Sequence, residues 1–357
     1  MNQQKVVISD QISQVLEAEI SACQHDRLFL LVDTTTRQYC LPLVDKLPCL
    51  HGAQVIEIGA TDIHKDLESL AHVWQALSKG GATRHTLLIN IGGGMVTDLG
   101  GFAASTFKRG INYINIPTTL LAMVDASVGG KTGINFGGLK NEVGVFNNAA
   151  CVILDTEFLT TLDAENILSG YAEMLKHGLI SNEAMWADLL NFDVEQPDLK
   201  RMGKMVADSV AVKQRIVTED PTEQSIRKAL NLGHTVGHAF ESLALRTKGT
   251  VPNVRTPILH GYAVAYGLIC ELYLSAMKTG FPTDKMHQTV QFIKAHYGKM
   301  AITCDDYPTL HQLMTHDKKN VSGVINFTLL GNVGDIRINQ TATKEEIFEA
   351  LDFYREC

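Results

Sequence analysis

The pattern of hydrophobic positions changes character partway along the chain. From residue 26 onward, short apolar runs alternate with helix-like stretches; the runs are DRLFLLVD, AQVIEIG, HTLLINIGGG and NYINIPTT. A longer stretch with helical character lies between the second and third runs, from Lys65 to Lys79. Alternation of this kind is typical of a parallel sheet whose strands are connected by helices. We therefore predict an α/β domain in the N-terminal half.

The second half has a different periodicity. After CVILDTEFLTTL, helical spacing of apolar residues dominates from Ala164 to about Tyr297, with few candidate strands. Close to the C-terminus, GVINFTLL and GDIRIN flank Gly331-Asn332-Val333 and predict a short hairpin before a final helix, KEEIFEALDFYREC. The pattern predicts two domains, an α/β domain over residues 1–165 and a mainly α-helical domain over residues 166–357.

Composition narrows the classes of function. A chain of 357 residues with 45% hydrophobic and 20% charged residues is long enough for two domains with separate cores. The net charge of −8 argues against a nucleic-acid partner, so an anionic ligand needs a local basic cluster. Its 7 cysteines are scattered without a CxxC pair, which indicates reduced thiols. Without a signal core or a long apolar run, we expect a cytoplasmic protein that does not bind membranes.

A glycine-rich turn is a candidate phosphate site. IGGGMVTDLGGFAAS follows a strand and opens a helix, where free backbone N–H groups can receive a pyrophosphate. The pattern is GGGxxxD and not GxGxxG, so a tight turn without a ligand explains it about as well. Farther on, VGGKTG resembles the end of a Walker A loop. Asp125 stands where that motif requires its first glycine, which excludes a P-loop NTPase.

The segment from Arg109 to Asn141 combines many glycines with isolated cations in an apolar frame. Solvated loops rarely have this composition, so it favours a ligand site over a plain surface loop. Its notable positions are Arg109, Pro117-Thr118-Thr119, Asp125, Gly129-Gly130-Lys131-Thr132 and Lys140-Asn141.

The stretch NLGHTVGHAFES holds two histidines one helical turn apart. Arg227, Asn231, His234 and His238 have the spacing i, i+4, i+7 and i+11, which predicts one polar stripe on a single α-helix. Imidazoles at i and i+4 can chelate one metal ion, but the internal Glu of HExxH is missing, which excludes a zincin protease. The spacing leaves three alternatives open: two ligands, one ligand with one acid–base group, or a pair of partly buried histidines.

Two further segments supply candidate partners for these histidines. GYAEMLKHG places Glu173 and Lys176 one turn apart, and ILHGYAVAYG places His260 just before a glycine. One carboxylate and two imidazoles would hold a catalytic zinc ion and leave positions open for water or substrate.

With these motifs in their observed order, the chain resembles the 3-dehydroquinate synthase family of sugar phosphate cyclases from Asp33 to about Gly334. The resemblance rests on INIPTTLLAMVDASVGGKTGIN, LKNEVGVF, GYAEMLKHG and LNLGHTVGHAFES. It implies a Rossmann-like NAD-binding domain, a helical domain that binds zinc or cobalt, and a homodimer. The implied reaction converts 3-deoxy-D-arabino-heptulosonate 7-phosphate into 3-dehydroquinate and phosphate, within the shikimate pathway.

The resemblance also implies roles for single residues. Glu173, His234 and His260 become the metal ligands, which makes His238 an acid–base group. The implied NAD contacts are Asp33, Thr35, Asp62, Lys65, Gly93, Gly94, Asp98, Thr118, Thr119, Lys140, Asn141, Phe158 and Thr161. The other implied catalytic residues are Asp125, Lys131, Lys176 and Asn231, and the implied substrate contacts are Arg109, Lys213, Arg227 and Lys318 or Lys319. Arg109 and Lys131 occupy the family's phosphate-binding positions.

Three positions depart from the family pattern. Tyr262 replaces the Glu of HGE, Asp62 replaces a Glu, and Gly137-Gly138 replaces a turn that contains proline. The alternatives are another sugar phosphate cyclase, a metal-dependent alcohol or glycerol dehydrogenase, and an inactive metal-binding or interaction module. Arg227 and Asn231 favour a substrate with a carboxylate, because a cyclase whose substrate has none has little use for this pair.

Overall fold

The computed structural model describes residues 4–246, 257–315 and 324–357, except for the side chain of Arg246. The chain forms two compact units. The first comprises Met1–Ile167 with Pro197–Gln214, and the second comprises Leu168–Gln196 with Arg215–Cys357. Periodicity placed the whole region after residue 165 in one domain, whereas residues 197–214 group with the first unit. The assignment of NAD and metal to separate domains stays a prediction.

Contacts at both ends of residues 197–214 account for that grouping. The backbone carbonyl of Leu199 accepts a hydrogen bond from Thr156 at 3.5 Å, and Gln214 donates to the carbonyl of Gln4 at 3.2 Å. Periodicity shows that a helix has an apolar face but does not show which core that face covers.

A parallel six-stranded sheet forms the centre of the first unit. Its strands are β1 (Val6–Ser9), β2 (Leu28–Asp33), β3 (Gln54–Ile58), β4 (Leu87–Gly92), β5 (Asn112–Pro117) and β8 (Cys151–Asp155). They are arranged in the order β1-β8-β5-β4-β2-β3. Every residue of β4 and β8 is buried, as expected for central strands with both faces covered. The predicted parallel α/β architecture is confirmed.

Helices and an additional hairpin complete the first unit. The helices are α1 (Ile12–Ala22), α2 (Thr34–Tyr39), α3 (Leu67–Lys79) and α4 (Gly94–Thr106). A π-helical turn spans Ala122–Ala126, and β6 (Lys131–Phe136) pairs antiparallel with β7 (Leu139–Phe146). Gly137 and Gly138, with φ of +59° and +80°, form the turn of this hairpin. The sequence pattern did not predict the hairpin.

The second unit is mainly helical, as predicted. Two of its helices, α5 (Ala164–Leu179) and α7 (Leu199–Glu219), belong to it only in part. The others are α6 (Glu183–Leu190), α8 (His234–Arg246), α9 (His260–Thr279), α10 (Thr283–Tyr297), α11 (Tyr307–Thr315) and α12 (Lys344–Glu356). The predicted C-terminal hairpin is confirmed as β9 (Asn326–Asn332) and β10 (Asp335–Thr341). In the parts of the chain that the structure describes, every helix is too short or too polar to cross a bilayer.

The prediction of a single helix that contains both Arg227 and His238 is wrong. Ile226–Asn231 forms a 3-10 turn, and α8 begins only at His234. Gly233 interrupts the helix with φ of +80°, a left-handed conformation that L side chains rarely adopt. The polar spacing continues in register across this break, which is why periodicity could not reveal it.

Candidate active site

Three side chains of the second unit converge at the start of two helices. Glu173 lies on α5, and His234 and His260 are the first residues of α8 and α9. Their candidate ligand atoms all lie within 4.8 Å of one another. Oε1 of Glu173 is 3.3 Å from Nε2 of His234 and 3.4 Å from Nε2 of His260. This arrangement has the one-carboxylate, two-imidazole composition of a catalytic zinc site.

Glycines bring the ligand-bearing helices close together. A Cβ on Gly261, next to His260, would lie 1.8 Å from the carbonyl oxygen of Ser169 on α5. A Cβ on Gly237 of α8 would lie 2.7 Å from the carbonyl oxygen of Ala263 on α9. Because no side chain fits at these positions, the backbones of α5, α8 and α9 approach one another directly. Their ligand side chains can then meet at one point.

The environment of Glu173 suits a metal ligand. It is fully buried, and neither of its oxygens has hydrogen-bonding geometry with another residue that the structure describes. Lys176, three residues later and almost as buried, forms an ion pair with Oε2. Burial alone would raise the pKa of Glu173, but the charge of Lys176 and the contact with His234 hold it well below its usual range. The ionised carboxylate and the two imidazoles fit a divalent metal ion.

A second carboxylate flanks His260. Oε2 of Glu241 lies 3.4 Å from Nδ1 of this histidine, on the ring edge opposite Glu173. Burial would lower the pKa of His260, but the contacts with Glu173 and Glu241 raise it to about 10. Tyr262, the departure from HGE, instead packs its ring against Tyr297 at a centroid distance of 5.1 Å. Sequence reasoning missed the role of Glu241, which orients a candidate ligand as outer carboxylates do in metal sites.

His238 lies beside this cluster without belonging to the convergent ligand set. Its ring centroid is 5.4 Å from that of His234 and 5.9 Å from that of His260. Of the alternatives that the spacing left open, this geometry favours one ligand and one acid–base group.

The turn before α8 is organised by a buried aspartate. The carboxylate of Asp220 accepts hydrogen bonds from the backbone N–H groups of Gln224, Ser225 and Arg227 at 3.0, 2.6 and 3.1 Å. Burial opposes these contacts, but together they lower the pKa of Asp220 to about 2. Arg227 is only 2% exposed, and its Nη1 donates to the carbonyl of Pro221 at 2.6 Å. The candidate carboxylate anchor is therefore held by its own loop and does not lie on the α8 stripe.

Asn231, at the end of the same turn, has a partner that the sequence did not indicate. Its Nδ2 donates to Oε1 of Glu223 at 2.9 Å. Glu223 has φ of +61°, an unusual conformation for a residue other than glycine. Sequence spacing does not indicate the contact between Glu223 and Asn231, because the contact depends on this local backbone geometry.

In the first unit, one group of predicted NAD contacts surrounds Lys65. Its Nζ donates to Oδ2 of Asp98 and Oδ1 of Asn141, both at 2.5 Å, and the side chain is 5% exposed. Burial raises the pKa of Asp98 even though the charge of Lys65 opposes the shift. Oδ2 of Asp62 lies 3.4 Å from Nζ of Lys140. Asn135 links the two groups, because it donates to the carbonyl of Asp62 and accepts from the N–H of Asn141. The structure thus brings five predicted NAD contacts into one polar cluster.

A second group of predicted NAD contacts lies around the glycine-rich turn. Gly93 precedes α4, and the N–H of Thr118 donates to the carbonyl of Gly92 at 3.0 Å. A Cβ on Gly93 would lie 3.1 Å from Cγ2 of Thr119, and one on Gly94 would lie 3.0 Å from Cβ of Ala126. The turn thus sits at the carboxyl ends of the adjacent strands β4 and β5. Sheets of this class bind nucleotides at that edge.

A buried thiol, Cys40, interacts with three of the predicted NAD contacts, Asp33, Thr118 and Thr161. Sγ of Cys40 lies 3.5 Å from Oγ1 of Thr161, and interactions with Thr118 and Asp33 also affect this thiol. Burial raises the pKa of Cys40, which keeps it protonated at neutral pH. Asp33 caps α2 by accepting from the N–H of Thr36 at 2.7 Å. Sequence reasoning assigned no role to Cys40.

Phe158 and Thr35, the other two predicted NAD contacts, differ in burial. Phe158 is 1% exposed in the 3-10 segment Thr156–Thr161, whereas Thr35 is exposed in the first turn of α2. Neither makes a polar contact that assigns it to a ligand, so both stay predictions.

The predicted substrate residues of the first unit are spread over several elements. Lys213 donates to Oδ1 and to the carbonyl oxygen of Asp125 at 2.6 and 2.5 Å. Lys131 is exposed at the start of β6. Arg109 has φ of +71° and lines a shallow basic pocket with Arg84 and Lys108. Lys318 and Lys319 lie outside the residues that the structure describes.

Comparison with known proteins identifies the family. The family model for the N-terminal part of 3-dehydroquinate synthase matches residues 55–169, and the model for its C-terminal part matches residues 170–320. The chain belongs to the 3-dehydroquinate synthase family. A 3-dehydroquinate synthase from Parabacteroides distasonis is 56% identical over 356 residues, which cover 100% of this chain and 99% of the relative.

A more distant relative agrees with this family assignment, and a solved structure shares the fold. A 3-dehydroquinate synthase from Pyrococcus furiosus is 37% identical over 337 residues, covering 93% of this chain and 94% of the relative. The solved 2-epi-5-epi-valiolone synthase from Streptomyces hygroscopicus subsp. jinggangensis, with NAD+ and Zn2+ bound, is 24% identical. It superposes with a TM-score of 0.84 over 100% of this chain and 98% of its own, which shows a shared fold.

Proposed function

We propose that this protein converts 3-deoxy-D-arabino-heptulosonate 7-phosphate into 3-dehydroquinate and phosphate. Identity of 56% to a 3-dehydroquinate synthase across the whole chain supports this activity. The structural observation that carries the proposal is the convergence of Glu173, His234 and His260, with His238 beside them. The chain thus retains the ionisable groups that an inactive module would be free to lose.

NAD and a divalent ion are the cofactors that we assign to this chain. Two solved structures of the same fold contain NAD+ together with a divalent ion, Zn2+ in one and Co2+ in the other. When bound, NAD would supply reversible oxidation of a substrate hydroxyl, and the ion would polarise the hydroxyl that is oxidised. The glycine-rich turn and the cluster around Lys65 would hold NAD, and Glu173, His234 and His260 would hold zinc or cobalt.

The residues around the metal cluster have distinct tasks in this proposal. Lys176 keeps Glu173 ionised, so the carboxylate can act as a ligand at neutral pH. His238 accepts and returns protons at the reacting carbon and oxygen atoms, since its ring lies next to both candidate histidine ligands. Glu241 would orient the ring of His260 by accepting a hydrogen bond from Nδ1–H, which leaves Nε2 to face the ion.

Charged side chains account for the two anionic ends of the substrate. Arg109 and Lys131 would bind the phosphate, and Asp125 and Lys213 form an ion pair among the other predicted substrate residues. Arg227, together with Asn231, would bind the carboxylate through parallel charge-assisted hydrogen bonds. This pair distinguishes the proposed substrate from the sugar phosphates of cyclases that lack a carboxylate. It also provides the local positive charge that a chain of net charge −8 requires.

We also propose that the protein forms a homodimer through its first unit. The hairpin β6–β7 exposes five large apolar side chains, at Phe136, Leu139, Val143, Val145 and Phe146. Clusters of exposed apolar residues on one element are typical of association surfaces. Changing Val143 and Val145 to Ser should shift sedimentation from the dimer to the monomer if this surface mediates association. An unchanged dimer would place the interface elsewhere.

Phosphate release tests the proposed activity directly. The metal-stripped protein is incubated with the heptulosonate phosphate, alone and with NAD, Zn2+ or both. We expect release of one phosphate per 3-dehydroquinate formed, at full rate only when both cofactors are present. Phosphate release at the same rate with and without NAD would contradict the proposal and favour a hydrolase. Net accumulation of NADH would also contradict it and favour a dehydrogenase.

A further inference from the structure

A buried glutamate outside the metal cluster connects the two helices that begin with the candidate histidine ligands. Glu271 lies within α9, and none of its surface is exposed. Its Oε2 accepts from the N–H of Gly233 at 2.6 Å, and its Oε1 accepts from the N–H of Val236 at 3.1 Å. Gly233 immediately precedes α8, which starts at His234, and Val236 lies in its first turn. One carboxylate from α9 therefore holds the N-terminus of α8.

These contacts are electrostatically favourable. The first N–H groups of a helix have no partner within the helix, and leaving them buried without an acceptor is costly. A carboxylate at this end also interacts with the positive end of the helix dipole and accepts charge-assisted hydrogen bonds. Uncharged capping side chains form weaker hydrogen bonds with the same N–H groups. A fully buried carboxylate that accepts from both N–H groups thus indicates a rigidly held helix start.

The surrounding packing makes Glu271 the polar anchor of a tight backbone contact. A Cβ on Gly267 of α9 would lie 1.9 Å from the carbonyl oxygen of Gly233 and 2.7 Å from the nitrogen of Gly237. Side chains that could act as spacers are therefore absent from this contact. The position of the first turn of α8 along α9 depends on backbone packing and on the two hydrogen bonds to Glu271.

We propose that Glu271 is a positioning residue for the metal ligand His234. This inference rests on the proposed function, in which Glu173, His234 and His260 hold a divalent ion. Glu271 is on the same helix as His260 and bonds to the residues on either side of His234, so it fixes the two imidazoles relative to each other. It differs from Glu241, which contacts the ring of His260 directly, because it acts through the backbone.

The substitution Glu271→Gln tests this role with little change in volume. The amide can accept from one N–H group, but its NH2 end faces the other donor and cannot accept. Zn2+ affinity is measured by competition with a chromogenic chelator, and the Co2+ absorption spectrum reports ligand geometry. We expect metal affinity to fall by roughly 10–100-fold, the usual effect of losing an outer partner of a metal ligand, together with an altered Co2+ spectrum. Glu271→Asp, which keeps the charge but is shorter, should recover part of the affinity.

Thr289→Val is the matched control for lost stability. Thr289 is also fully buried in the second unit, and its Oγ1 accepts from Nε1 of Trp186 at 3.0 Å, away from α8. This variant should melt at a lower temperature and keep wild-type metal affinity. If Glu271→Gln behaves in the same way, with unchanged affinity and Co2+ spectrum, Glu271 is only a structural carboxylate and the inference is wrong.

Two further outcomes separate the inference from the function on which it rests. If the wild-type protein and His234→Ala bind Zn2+ equally weakly, the proposed metal site fails, whatever Glu271 does. If Glu271→Gln does not fold, the comparison uses Glu271→Asp, whose side chain reaches only part of the way to the two donors. Wild-type affinity and spectrum in Glu271→Asp would overturn the positioning role.

Discussion

The imidazole rings of His234 and His238 meet edge to face, with their centroids 5.4 Å apart, one helical turn from each other on α8. Spacing alone would suit a chelating pair. The ring of His234, however, points its Nε2 toward Glu173 at 3.3 Å and shares that carboxylate with His260. Because His260 at the start of α9 can complete the ligand set, His238 is available for proton transfer.

The buried ion pair of Lys176 and Glu173 gives a prediction for stability. Removing one partner of a buried pair leaves an uncompensated charge, so Lys176→Met should lower the free energy of unfolding of the metal-free protein by about 3–5 kcal/mol. Chemical denaturation with and without Zn2+ measures this loss. The loss should be smaller with Zn2+, since the ion replaces the missing positive charge beside Glu173.

Lys294→Met, at an exposed position of α10, is the control and should change stability little. Equal losses for Lys176→Met and Lys294→Met would show that the buried pair is not coupled to the stability of the site.

The low pKa of Asp220 gives a prediction for pH dependence. Its folded-state pKa of about 2 lies below the ordinary value of 3.8, so the ionised form is favoured by folding. This contribution is fully present above about pH 4 and is lost as the pH falls through the folded-state pKa. Asp220→Asn should therefore destabilise the protein at pH 7 and show a shrinking difference from wild type as the pH approaches 2. Urea unfolding at several pH values checks this, and a difference independent of pH would contradict it.

Arg227 gives a prediction for substrate selectivity. Arg227→Leu should raise the activation free energy for the natural substrate by about 2–5 kcal/mol, because the substrate carboxylate loses its bidentate partner in a buried setting. NAD and metal should still bind. The measurement compares kcat/KM for the natural substrate with kcat/KM for an analogue that lacks the carboxylate. Proportionally equal losses for both compounds, in a folded variant, would rule out Arg227 as the carboxylate anchor.

Gly233 gives a prediction about the start of α8. Gly233→Ala combines a φ of +80° with a Cβ only 2.9 Å from Cγ of Leu268, so it should be strained and displace α8 from α9. Gly280→Ala is the control, with a φ of +77° and open space around the new Cβ. Both variants should lose about 1–2 kcal/mol from the left-handed backbone. Only Gly233→Ala should lose more than this and also weaken metal binding; equal losses with equal metal affinity would show that the close packing is unimportant.

Much of the fold could be predicted from the sequence because its signals are local. The apolar runs that form β2, β3, β4 and β5 can be recognised from their own residues and from the residues next to them. The hairpin of β6 and β7 could not be predicted, since β7 is exposed along its whole length and has no buried face for a hydrophobic pattern to mark. Periodicity also could not assign residues 197–214 to the first unit, because that depends on which core the helix covers.

The candidate site was only partly predictable for a related reason. The motifs around Glu173, His234 and His260 are visible in the sequence, but choosing these three as ligands came from the family resemblance and not from spacing. Glu241, Glu271 and Cys40 have no motif, because their importance arises from contacts with residues 19, 35 and 121 positions away. Such long-range contacts leave no periodic signal.

The metal content of His234→Ala and His238→Ala separates a metal ligand from an acid–base group; it is measured on purified protein after equilibration with Zn2+ and removal of free ion. We expect His234→Ala to lose the ion, whereas His238→Ala should retain one ion per chain and lose turnover by roughly 10²–10⁴-fold. Stoichiometric zinc in both variants, or zinc in neither, would contradict the division of the two histidines into a ligand and an acid–base group.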